Sequence, residues 1–120
     1  QGSITSATAI QVTSLTSTVT IPAGGRKVRI TAFIPNTSNA SISTVSYSLW
    51  DGTVGSGTQL AESRFTHAIA STTNLGLIVQ AIVTPAAGSK TYNVGVRIDA
   101  GTETCNASST APASILVEAI

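Results

Sequence analysis

The chain has 120 residues, enough for one domain core and too few for two. It is 42% hydrophobic but only 9% charged, against about a quarter charged in ordinary soluble domains. Its net charge of +1 gives no electrostatic basis for nucleic-acid binding, and no apolar run approaches the roughly 18 residues of a membrane-spanning helix.

Ser and Thr stand where charges usually do, and with abundant Val and Ile they favour pleated, half-buried surfaces. Gln1–Ser3 reads as a linker remnant or a cloning scar, residues 1–6 as an N-terminal linker or arm, and 7–120 as a single domain. Strands are expected at Ala7–Thr13 and Ser17–Ile21, followed by the turn "PAGG" at Pro22–Gly25. In "KVRITAFI", Val28, Ile30, Ala32 and Ile34 share one face while Lys27, Arg29 and Thr31 share the other, the period-two signature of a strand. "PNTSNAS" at Pro35–Ser41 reads as a turn. "VSYSLW" then alternates Val45, Tyr47 and Leu49 with Ser46 and Ser48, and "DGTVGSG" turns at Asp51–Gly57.

A strand over Gln59–Thr66 precedes Leu75–Val83, which is apolar on both faces and is therefore expected to be covered on both sides. "PAAGS" at Pro85–Ser89 opens "TYNVGVRID", with Tyr92, Val94, Val96 and Ile98 on one face and Asn93 and Arg97 outside. After the Asp99–Gly101 turn come a weaker strand at Thr102–Ala107 and a second doubly apolar segment, Ile115–Ile120. Turns every ten residues or so, with no helical spacing, predict an all-β fold: an antiparallel β-sandwich, a jelly roll of about eight strands.

Chemistry is sparse. "TIPAGGRKVRITA" and "TPAAGSKTYNVGV" echo each other, yet their glycine spacing is wrong for a phosphate loop and both lead into strands rather than a helix. His67 is the only histidine. A triad with Ser63 and Asp51 or Glu62 lacks any nucleophile elbow, so a surface or interface histidine is expected and no catalytic residue is assigned. Asp51, Glu62, Asp99, Glu103 and Glu118 show no spacing that would pair two carboxylates across a cleft, and surface or edge positions suffice for them.

Cys105 is alone, so no internal disulfide forms, and with one histidine the chain has no structural zinc set; no cofactor and no metal is expected. The sequons at Asn36, Asn39 and Asn106 arise easily in so Ser/Thr-rich a chain. Trp50, beside the Asp51 turn, plugs the core or a contact in one reading and stacks on a sugar in the other.

Glu118 interrupts an otherwise apolar closing strand and calls for a partner such as an arginine, or for solvent. The apolar end at Ile120 is well explained if this strand docks near a symmetry axis, so Ile115, Leu116, Val117, Glu118 and Ile120 are the expected oligomer interface.

The strings "VTIPAGGRKVRITAFI", "LWDGTVGSGTQLAES", "VTPAAGSKTYNVGVRIDAGT" and "PASILVEAI" resemble a module of tailed-phage virion structural proteins, of the decoration or fibre type, with a TNF/C1q-like jelly roll. The resemblance runs from about Val19 to the end and carries no catalytic signature. It implies a non-enzymatic bacteriophage virion protein: a capsid decoration or cement protein, or a head-fibre module, at the particle surface. Its implied partners are its own copies in a homotrimer and other virion proteins of the capsid or tail. The alternative is the receptor-binding head of a tail fibre, recognising host-surface glycan through Trp50 and Asp51. One departure is Ser114, where the resemblance leads one to expect a bulkier residue.

Overall fold

The computed structural model describes residues 2–39, 41–69 and 75–120, and of Asn36 only the backbone. Within them lie eight strands: β1 (Ile10–Ile21), β2 (Val28–Asn39), β3 (Ser43–Asp51), β4 (Thr58–His67), β5 (Leu75–Val83), β6 (Gly88–Ala100), β7 (Glu103–Cys105) and β8 (Ser114–Ala119). They form two antiparallel sheets packed as a β-sandwich. Sheet I has the order β1-β6-β3-β4; sheet II has the order β5-β2-β7, with β8 also on β2.

The alternation read from sequence builds the core directly. Val28, Ile30, Ala32 and Ile34 of β2 meet Val45, Tyr47 and Leu49 of β3 and Tyr92, Val94, Val96 and Ile98 of β6, all buried. At roughly 1.5–3 kcal/mol for each large side chain taken from water, this layer is the main favourable term in folding.

Three expectations need correction. The two strands expected at 7–13 and 17–21 are one strand, β1, with an irregularity between Gln11 and Thr16. Inward positions switch there from Ile10 and Val12 to Leu15, Val19 and Ile21, with Thr13 and Ser14 both exposed. Ser14 takes φ 65°, as an inserted residue in a bulge does. Gln11 Nε2 donates to the Val12 and Leu15 carbonyls at 3.2 and 3.0 Å, satisfying acceptors that the interrupted ladder leaves open.

Of the turn expected at Pro35–Ser41, Pro35–Asn39 is strand instead: β2 continues to Asn39, with a register shift between Ile34 and Thr37. Proline is accommodated in a strand at such a break because no ladder hydrogen bond is required of it. Opposite the break, β7 and β8 lie end to end along one edge of β2, β8 on residues 28–33 and β7 on 37–39. The strand expected at Thr102–Ala107 thus shrinks to Glu103–Cys105, the first half of an interrupted strand.

Within the segment expected as a linker or arm, Ile4 is fully buried in the core. Its amide donates to Glu103 O at 2.7 Å and its carbonyl accepts from Glu103 N at 3.1 Å, while Ile98 N donates to Ser6 O at 2.9 Å. The segment therefore closes one end of the sandwich by holding both sheets.

The opposite end explains the sequence echo. The β1–β2 connection carries the chain from sheet I to sheet II, and the β5–β6 connection carries it back. Since β1 pairs β6 and β2 pairs β5, the two Pro-Ala-x-Gly stretches lie side by side. A Cβ on Gly25 would sit 3.6 Å from Pro85 O. Gly25 N donates to Pro22 O at 3.3 Å and its φ is 68°, a conformation glycine adopts without steric cost. Both stretches are crossovers between the sheets.

Candidate assembly surface

The two outer faces of the sandwich differ sharply in chemistry. Sheet I presents charges in partnership: Arg97 contacts Glu62 at 3.1 Å and Asp99 at 2.8 Å, Arg64 contacts Asp99, and Lys90 contacts Asp51 at 3.3 Å. Threonine pairs bridge its strands, Thr18 with Thr91 and Thr44 with Thr66, each at 2.9 Å.

Sheet II presents an apolar outer face. Its register sets three rows across β5, β2 and β8: Ile82, Arg29 and Glu118; Gln80, Thr31 and Leu116; Ile78, Phe33 and Ser114. Ile78, Ile82, Leu116 and Phe33 are 60, 56, 53 and 40% exposed. A contiguous group of large apolar side chains left in water marks an interaction surface more often than a bare face.

The polar members of this face are mutually satisfied. Arg29 Nε and Nη2 both donate to Glu118 Oε2, at 3.1 and 3.0 Å, and Gln80 Nε2 donates to Thr31 Oγ1 at 2.9 Å. The pair of charges is half exposed and contributes at most about 1 kcal/mol to stability. Its larger effect is to neutralise the two charges that fall within the three rows.

The expected interface residues separate by parity. Leu116 and Glu118 lie on the outer face, and Ile120 is exposed just beyond β8, its amide donating to Lys27 O at 3.0 Å. Ile115 and Val117 instead pack against the core. The doubly apolar β5 is likewise covered on one side only in the single chain: Val79 and Ala81 are buried while Ile78 and Ile82 face water. Phe33, Ile78, Ile82 and Arg29 complete the patch and were missed, although counting alternate positions from Arg29 and Thr31 reaches Phe33. Ser114 faces Phe33 across the strands, so the small residue there leaves the ring uncovered.

Trp50 does not serve as a surface recognition residue. It is only 8% exposed, and its Nε1 donates to Ser48 Oγ at 2.7 Å. The β3–β4 loop folds back over sheet I, so that a Cβ on Gly95 would come within 2.7 Å of Val54 Cγ1 and 2.8 Å of Trp50 Nε1. The ring is a plug with no face free for a sugar, and Asp51 beside it is engaged by Lys90.

His67 is neither at the surface nor at an exposed interface. Its side chain is buried, with Nε2 3.2 Å from Oε1 of Glu103, itself fully buried rather than at a surface or edge position. Ser43 Oγ donates to Glu103 Oε2 at 3.4 Å. Burial raises the Glu103 carboxyl above its ordinary range despite the opposing pull of Thr37, His67 and Ser43. Burial also raises the Tyr47 hydroxyl and the Cys105 thiol nearby, which keeps that thiol protonated and unreactive. Ser63, Asp51 and Glu62 form no hydrogen bond with His67. The cluster ties β4 to β7 and β3, with no solvent approach for a substrate. Among the described residues, no three His, Cys, Asp or Glu side chains converge as a metal site.

No protein-family model matches the chain, and no curated protein matches its sequence.

Proposed function

We propose that the protein is a non-enzymatic structural module of a bacteriophage virion, a capsid decoration or head-fibre protein that assembles with its own copies at the particle surface. The observation that carries the assembly part is the outer face of sheet II, where Phe33, Ile78, Ile82 and Leu116 stand exposed around a neutralised Arg29–Glu118 pair. Covering such a face is favourable at roughly 25 cal/mol per Å² of apolar surface removed from water, and a homo-oligomer supplies a cover of the same chemistry. The virion part rests on the resemblance of the turn-and-strand strings from Val19 onward. In this reading an oligomer of the protein's own copies is the working unit and the charged face of sheet I is turned to solvent.

Light scattering on the purified chain, paired with imaging of particles carrying it, tests the proposal. A defined oligomer and many copies on the capsid lattice are expected. Leu116→Lys together with Ile78→Lys is expected to weaken assembly without lowering the Tm of the dissociated chain, measured at dilution where the wild type is monomeric, since both side chains are exposed in the single chain. A chain that stays monomeric at high concentration, or that populates only a tail tip, would overturn the decoration reading.

A further inference from the structure

The sandwich has five lateral strands; β7 is capped by its bridge to Ile4, and three of the other four carry devices that discourage strand pairing with another molecule. β1 is broken by its bulge at Thr13 and Ser14. β4 carries Glu62 and Arg64, and β8 carries Glu118 and is only six residues long. β5 is different. Its nine residues, "LGLIVQAIV", contain no charge and no proline, and among the described residues it pairs with β2 alone. Among those residues, too, no backbone hydrogen bond from a turn or loop occupies its other side.

We infer that β5 pairs antiparallel with β5 of a second copy across a twofold axis, joining two sheets II into one continuous sheet. This rests on the assembly reading above and names the strand and the partner within it. Neutrality is what selects the partner. A strand that pairs with its own copy about a twofold brings identical side chains close together, so any charge near the axis meets its like. β1 is uncharged as well but is broken by its bulge, so β5 is the unbroken lateral strand with no charge to meet. The pairing also places Ile78 and Ile82 of one copy beside those of the other. The apolar outer faces then merge into one surface, and each copy's open main-chain donors and acceptors are satisfied.

Gln80, exposed and near the middle of β5, gives a test that spares the core, its one side-chain bond being to Thr31. Gln80→Lys alone and Gln80→Glu alone are each expected to weaken self-association about tenfold, because like charges face each other across the axis. An equimolar mixture of the two variants is expected to recover it. In the wild type, β5 amides pointing away from β2 should exchange slowly when assembled and fast when diluted to monomer. If both variants assemble like wild type and those amides exchange equally fast in both states, the β5 pairing is wrong while assembly through the sheet face stands. If the wild type never assembles, both fall.

Discussion

Glu103 shows how one buried side chain sets a pH response. Its carboxyl keeps a proton to higher pH in the folded chain than in the unfolded one, where it titrates near the ordinary 4.5. Between those two values the native state binds more protons, so stability is fullest below about pH 4.5 and falls as pH rises through the raised folded value. Glu103→Gln carries the same shape without the proton. The variant should therefore lose less stability than wild type over that window, the difference in slope being at most about 1.4 kcal/mol per pH unit. Denaturant melts at several pH values check this, and parallel curves for the two proteins would refute it. The position was readable in part: Cys105 is inward by its apolar character, and Glu103, two residues earlier on a strand, must share its face. Composition alone pointed the other way, because glutamate and histidine are usually at surfaces. Only a partner brought from β4 makes their burial tolerable.

At the scale of the strand, alternation was legible wherever one face is wet and the other dry, as in β2, β3 and β6. It failed where an extra residue shifts parity. The β1 bulge inverts the inward set between Val12 and Leu15, so one strand reads as two, and Pro35 reads as a turn because nothing local announces that the register slips there. The assembly face was half legible for a related reason. Leu116 and Glu118 declare themselves on β8, but Ile78 and Phe33 join them only once the β5–β2–β8 register is known. A strand pair also explains Gly95 on β6, which lies beneath Trp50 and Val54. Gly95→Ala should cost about 1–3 kcal/mol, as overpacking does, and Val54→Ala in the same chain should restore part of it by removing the nearest methyl. Thermal melts of the two single variants and the double variant decide this. An additive result would place the strain in the backbone instead.

The whole molecule is a block with one charged face, one apolar face and an N-terminal segment bolted across one end by Ile4. Most of its strand pairings join distant parts of the sequence, β1 with β6 and β2 with β8, so slow folding is expected of it compared with helical domains of this size. The two crossovers at the other end have a further consequence. They are duplicate straps between the sheets, so cutting one leaves the other to carry the load. Arg26 and Lys27 lie exposed in the first strap, within reach of trypsin. Limited digestion should nick the chain there before elsewhere, and the nicked product should elute at the size of the intact protein. It should separate into two fragments only in denaturant, because β1 remains laddered to β6 from Thr16 to Ile21. Spontaneous loss of the N-terminal fragment would mean that the sandwich depends on an unbroken thread after all. Survival of the cut would make this end of the block the natural place to splice in foreign sequence.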